Sequence, residues 1–273
     1  MVDIAEMLND LAAESAEVDA MVAELPASGW ATLTPAAGWT VAHQVGHLAW
    51  TDGAAHLAMT DPEAFTEHLN RALSELDGFV DRGAEEYLDE PASMLSRWRA
   101  GREQVLADLA AVPPGVKIAW YGTAMAAPSL ATARLMETWA HGQDVADALG
   151  VVRAPTARLR HIAHLGYRTL GYAFMANGKA APAEPVRVEL TAHDGTLWTF
   201  GPEDAANRVD GPALDFCRLV TQRVHRSDTA LTARGPVADA WLDLAQAFAG
   251  TPGSGREPQN GRSASSRAET AAS

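Results

Sequence analysis

Glu137, His141 and Asp144 stand at i, i+4 and i+7 within the stretch from Leu135 to Leu149. On a helix, those spacings project three side chains from one face within about two turns. A helix is what this stretch predicts, because it is rich in Ala, Met, Leu and Glu and is followed by Gly150 where a C-terminal cap belongs. Leu135, Val145 and Leu149 supply packing positions around the polar stripe. A carboxylate and an imidazole one turn apart can hold a single divalent ion without disturbing the backbone. The alternative is a solvated face with an i, i+4 Glu–His contact, and the spacing taken alone favours it, because Glu-x-x-x-His arises often by chance.

A second segment bears on that choice. Trp39 to Trp50 reads as another helix start, with Thr40 as N-cap and Val41, Val45, Leu48 and Ala49 on one apolar face. His47 lies on or beside that face. As a core histidine it would be satisfied by its neighbours; as a third ligand it would complete two imidazoles and one carboxylate contributed by two helices of a bundle. Such a set leaves a coordination position open for water or substrate. His43, one turn before His47, is a rival that spacing leaves open.

The elements that must position these residues follow from the rest of the chain. With 273 residues, 47% apolar and 21% charged, it has material for a large core. A formal charge of −14 argues against sequence-independent binding to nucleic acid or an anionic membrane. No apolar run approaches the roughly 20 residues of a membrane span, and the acidic, helical start does not resemble a secretory signal. The single cysteine, Cys217, excludes an internal disulfide and reads as a small buried apolar side chain. A cytoplasmic protein is the expectation.

Residues 3–24 predict an amphipathic helix and 41–59 a second. A third starts at Asp61-Pro62 and runs toward Gly83 or Tyr87, and a fourth goes from Pro91 to the break at Pro113-Pro114-Gly115. The ligand helix is expected to be capped by Ser129, and a further helix, capped by Thr156, to cover 157–175. Between the fourth helix and the ligand helix, residues 116–128 form an apolar loop carrying Trp120, Tyr121 and Met125. That loop either lines a pocket or plugs the end of the bundle. After Gly178 the pattern changes. Strands are expected at 186–190 and 196–200 around the Asp194-Gly195 turn, then a helix at 212–224, a strand at 230–233 and a helix at 237–248. The expected organisation is a helical bundle over 1–178, a small α+β domain over 183–250, and a disordered Gly/Ser/Arg/Pro/Ala-rich tail over 251–273.

Certain of these residues carry a resemblance. They are Gly38-Trp39-Thr40-Val41 with His47-Leu48, the run Ala133 to Asp144, Asp215-Phe216-Cys217 with Thr221-Gln222-Arg223, and Ala245 to Gly250. Together they make the chain similar to the actinobacterial metal-binding family related to mycothiol-dependent maleylpyruvate isomerase, within the DinB-like group of four-helix metal proteins. The resemblance covers residues 3 to 250. It implies a mainly α protein: a DinB-like up-and-down four-helix bundle followed by a sterol-carrier-protein-like α+β domain. It also implies a zinc ion on His47, Glu137 and His141, which favours His47 over His43. For the arginine that the isomerase uses in its C-terminal domain it implies Arg223, with Arg218 and Arg226 as neighbouring alternatives.

The expected chemistry is activation of a low-molecular-weight, mycothiol-like thiol for isomerisation or S-transfer on a small carboxylated substrate. Arg223 would pair with a carboxylate bidentately. Asp144 would orient a ligand imidazole or accept a proton. Trp120 and Tyr121 would roof a pocket between the domains. Asp52, one turn beyond Leu48, reads as a weaker candidate or a solvated carboxylate. Two other classes stand beside this one: a non-enzymatic metal or small-ligand binder, and a metal-dependent hydrolase with Asp144 or His43 as base. The expected partners are a small substrate and a thiol, with neither nucleic acid nor membrane, in a monomer or homodimer.

Overall fold

The computed structural model describes residues 3–74, 78–253 and 255–259. These residues divide into two compact units, Met1–Arg153 and Ala154–Ser273. The sequence places the division later, at 178–182; the difference comes from the two helices that follow Arg153, which belong with the sheet.

The first unit is built on four long helices: α1 (Ile4–Val22), α3 (Val41–Thr60), α6 (Pro91–Ala111) and α7 (Ala127–Leu149). Helix α1 packs on α7 and α6, and α3 packs on α6 and α7, as in an up-and-down bundle. Asp3 caps α1 by accepting from the Ala5 amide at 3.1 Å. The core joins Val18 and Val22 of α1, Val41, Val45 and Leu48 of α3, Met94, Leu95 and Trp98 of α6, and Val145 of α7. Gly142 allows α1 and α7 to come this close, since a β-carbon there would lie 2.5 Å from Val18 Cγ2.

Several short elements depart from the expected pattern. A one-turn helix, α2 (Ala27–Trp30), buries Trp30 in the core. The expected third helix is two, α4 (Pro62–Ser74) and α5 (Phe79–Glu85), because Gly78 adopts a left-handed conformation (φ 73°) that a continuous helix excludes. Residues 75–77 lie outside the described residues. The apolar loop is a small hairpin, with β1 (Lys117–Ile118) antiparallel to β2 (Met125–Ala126). It leads directly into α7, so the N-cap is Ala126 with Pro128 in the first turn, and not Ser129. No helix among the described residues is long and apolar enough to cross a membrane.

In the second unit, α8 (Leu159–Arg168) and α9 (Leu170–Ala176) replace the single helix expected over 157–175, with Thr169 at the break and Arg158, not Thr156, at the start. The sheet has strand order β4-β3-β5-β6, from β3 (Val186–Thr191), β4 (Leu197–Phe200), β5 (Asn207–Pro212) and β6 (Thr232–Arg234). The β3–β4 hairpin turns at Asp194-Gly195, where Asp194 Oδ1 accepts from the Thr196 amide at 2.9 Å. Strand β5 is unanticipated and runs parallel to β3, with Val188 opposite Val209. Helices α10 (Ala213–Val220) and α11 (Pro236–Leu244) pack on the sheet, both shorter than expected. Past α11 the chain is extended, and the Ala247 amide donates to the Val220 carbonyl at 2.7 Å. Cys217 is fully buried; its thiol donates to the Leu159 carbonyl at 3.4 Å, and burial pushes its pKa up, away from a reactive thiolate. Of the tail, residues 251–253 and 255–259 form no helix or strand, and the Gln259 amide donates to Asp228 Oδ2 at 2.7 Å. The disorder expected for the remainder falls outside the described residues.

Candidate metal centre

Three side chains of the bundle point their donor atoms at one another. His47 comes from the middle of α3, and Glu137 and His141 from successive turns of α7. Glu137 Oε2 lies 3.4 Å from His47 Nε2 and 3.2 Å from His141 Nε2. The two imidazole centroids are 4.3 Å apart, and one donor atom from each residue falls within 4.8 Å of the others. Burial works against a charge on Glu137, but the contacts with His141 and His47 outweigh it and hold the carboxyl well below its usual range.

These separations can be compared with what an ion requires. Tetrahedral ligands bonded at about 2.0–2.1 Å stand about 3.3 Å from each other. The 3.2 and 3.4 Å separations match that edge length for two of the three donor pairs, and all three donor atoms lie within 4.8 Å of one another, so these residues fit a divalent ion. Two nitrogens and one oxygen suit zinc, and also iron, cobalt and nickel.

Around the triad stand groups that have no role in the sequence reading. Gln44, fully buried one turn before Leu48, has its Oε1 2.5 Å from His141 Nδ1 and donates through Nε2 to Thr34 Oγ1 at 2.9 Å. Thr34 Oγ1 in turn donates to the Trp39 carbonyl at 2.9 Å. Its sequence signal is an amide on the apolar face of Val41, Val45 and Leu48, which requires a partner there. The Trp39 ring covers both imidazoles, 5.4 Å from His47 and 5.9 Å from His141, while its Nε1 donates to Asp81 Oδ1 of α5 at 2.8 Å. Trp50 also packs against His47, with ring centroids 5.8 Å apart.

The rival His43 is occupied elsewhere. Its Nδ1 lies 2.8 Å from Thr40 Oγ1 and accepts from the Thr40 amide at 3.3 Å, closing the start of α3. Asp52 is not solvated: it is 6% exposed, and one of its oxygens accepts from Arg134 Nε at 3.0 Å and Nη2 at 2.8 Å. Asp144 is fully buried on α7, one turn past His141. Trp120 stacks on Phe65 of α4, with planes 5° apart, and Tyr121 Oη lies 2.5 Å from His68 Nε2. Burial, helped by Arg71, pushes His68 down, and burial pushes Tyr121 up, so the phenol donates and a neutral imidazole accepts. His68 packs 5.9 Å from Trp50, which links this aromatic cluster to the triad.

Arg223 belongs to the second unit, just after α10. Its amide donates to the Arg218 carbonyl at 2.7 Å and its Nη1 to the Thr221 carbonyl at 2.6 Å. Gln222 beside it has φ 59° and is the one non-glycine residue with positive φ among those described.

Comparison with known proteins gives these features a context. Residues 11–146 match the family described as the mycothiol maleylpyruvate isomerase N-terminal domain, and residues 182–234 match one described as wyosine base formation. Uncharacterized proteins from two strains of Mycobacterium tuberculosis are each 54% identical over 257 residues, covering 94% of this chain and 100% of theirs. A crystal structure of the mycothiol-dependent maleylpyruvate isomerase has a TM-score of 0.56 at 16% identity, covering 85% of this chain and 93% of that one. A histidine-to-alanine mutant of the same isomerase gives 0.55 at the same identity and coverage. The shared fold, with the family match across the bundle that carries His47, Glu137 and His141, makes the chain a member of the DinB-like family related to mycothiol-dependent maleylpyruvate isomerase.

Proposed function

We propose that the chain is a divalent-metal-dependent enzyme, with zinc as the ion, that uses a mycothiol-like thiol to isomerise or to transfer sulfur to a small carboxylated substrate. The observation that carries this reading is the convergence of donor atoms from His47, Glu137 and His141 within 4.8 Å of one another, with Glu137 Oε2 3.4 and 3.2 Å from the two Nε2 atoms. When bound, such an ion lowers the pKa of a coordinated thiol and makes thiolate available near neutral pH.

The chain's own residues do the rest. Glu137 supplies one negative charge and His47 and His141 two neutral donors, so a divalent ion keeps a net positive charge with which to attract an anionic sulfur. Three protein ligands leave a further position for an exogenous group. Trp39 and Trp50 cover the imidazoles with apolar surface, which limits water at the ligands and strengthens electrostatics there. Tyr121 and Trp120 are assigned to the wall of the ligand pocket, Asp144 to support of the His141 turn, and Arg223 to the substrate carboxylate.

Elemental analysis of the purified protein, with thiol titration before and after chelation, tests the reading. We expect one divalent ion per chain and thiol binding that vanishes when it is removed. His47→Ala and His141→Ala should each lose the ion while remaining helical. Full metal content in both variants would overturn the assignment.

A further inference from the structure

The two histidines of the triad are held differently, and the difference identifies a positioning residue. The Trp39 carbonyl can only accept a hydrogen bond, so the Thr34 hydroxyl at 2.9 Å must spend its hydrogen there. Thr34 Oγ1 is thereby left as an acceptor for Gln44, 2.9 Å away, and the atom facing it must be the amide nitrogen. Gln44 Oε1 then faces His141 Nδ1 at 2.5 Å, and a carbonyl-type oxygen accepts only from a protonated nitrogen.

We propose that Gln44, oriented by Thr34 and the Trp39 carbonyl, keeps a hydrogen on His141 Nδ1 and so reserves Nε2, 3.2 Å from Glu137 Oε2, as the nitrogen that would bind an ion. The inference rests on the metal reading of the triad for its consequence, while the Nδ1 hydrogen is set by Gln44 with or without an ion. An isolated neutral imidazole distributes its hydrogen between the two nitrogens, and a ligand histidine must be held in one form for its donor nitrogen to be ready. Gln44 does this from a fully buried position on α3, so the helix that carries His47 also sets the chemistry of the histidine on α7. His47 has no such clamp: its Nδ1 is buried without a hydrogen-bond partner among the described residues. The turn that holds Thr34 and Trp39 is itself pinned, because the Thr34 amide also donates to the Trp39 carbonyl at 2.8 Å.

The test uses the full chain loaded with zinc and three variants. In the wild type, nitrogen-15 NMR of the imidazoles should show His141 as the Nδ1–H tautomer. Gln44→Leu keeps the buried volume and removes the acceptor; it should lose the hydrogen-bonded Nδ1–H signal of His141 and weaken zinc affinity about 10- to 100-fold. Gln44→Glu retains an acceptor and should restore the wild-type tautomer and affinity. Thr34→Val frees the amide to turn over and should fall between the two. A His141 signal of the Nε2–H form in wild type, or zinc affinity within twofold of wild type in Gln44→Leu, would overturn the proposal. Failure of the wild type to bind zinc would instead sink the metal reading, and the Nδ1–H signal of the metal-free chain would still show whether Gln44 holds that hydrogen. Melting curves separate a folding defect in Gln44→Leu from the loss of a clamp, since unfolding would not be repaired selectively at His141 by Gln44→Glu.

Discussion

Arg134 and Asp52 form an ion pair closed between α7 and α3, with the guanidinium bound through both Nε and Nη2 to one carboxylate oxygen. Arg134 is 1% exposed and stands one turn before Glu137; its Nη2 also reaches the carbonyl of Leu48, the neighbour of His47, at 3.4 Å. The pair therefore ties together the two helices that supply the triad.

Breaking this pair leaves the buried Asp52 carboxylate with only the Trp98 side chain and the charge of Arg102 to offset its burial. Arg134→Met should destabilise the protein by about 3–5 kcal/mol, measured by urea denaturation. Burial already pushes the Asp52 carboxyl up in the presence of Arg134, so in the variant the folded state should take up a proton that the unfolded state does not. Stability of Arg134→Met should then rise as the pH is lowered through that raised pKa, the opposite of ordinary acid denaturation. The double variant with Asp52→Leu should recover most of the loss, because a well-packed apolar pair replaces buried charges at little cost. A small, pH-independent effect of Arg134→Met would show that the pair is not sealed.

What the sequence makes legible is what its local periodicity encodes. The four long helices are visible because each repeats its apolar positions over 19 to 23 residues. Glu137 and His141 are legible for the same reason, as neighbours on one helix face. The contacts that organise the site are not: Arg134 meets Asp52 across 82 residues and His141 meets Gln44 across 97. Strand β5, with Asn, Asp, Gly and Pro among its six residues, has poor strand character and is held by parallel pairing to β3. The break between α4 and α5 depends on the backbone of Gly78, which no side-chain pattern reveals.

The Tyr121–His68 bond fastens the hairpin tip to α4. Tyr121→Phe removes the donor and leaves a buried imidazole nitrogen, and should lower stability by about 1–3 kcal/mol in thermal melts. Because His68 is held below its ordinary value of 6.5, the unfolded chain takes up the proton first as the pH falls through that value. The sign is a loss of stability on acidification that continues down to the folded pKa. His68→Gln should flatten that part of the pH profile; an unchanged profile would place the acid sensitivity elsewhere.

Gln222 holds a left-handed conformation at the end of α10, a position that glycine usually takes. The bond pattern there is a helix-terminating motif: the Gln222 amide donates to the Leu219 carbonyl at 2.9 Å and the Arg223 amide to that of Arg218. Gln222→Gly should relieve the strain of a β-carbon at positive φ and stabilise the chain by up to about 1 kcal/mol, read as a higher melting temperature. A lower melting temperature would mean that the side chain contributes more than the backbone strain costs.

Arg223 carries the proposed contact with a substrate carboxylate, and its backbone is set by the same turn. Arg223→Ala should weaken substrate binding or turnover by about 2–5 kcal/mol if the ion pair forms away from water. Metal content should stay unchanged, because the residue is not one of the three whose donor atoms converge. Arg223→Lys keeps the charge but loses the planar two-point grip on a carboxylate, and should recover only part of the loss. Parallel measurement of bound metal, thiol affinity and turnover separates these effects. Turnover and affinity equal to wild type in Arg223→Ala, with the ion in place, would remove Arg223 from the mechanism and leave the carboxylate to be held by another group.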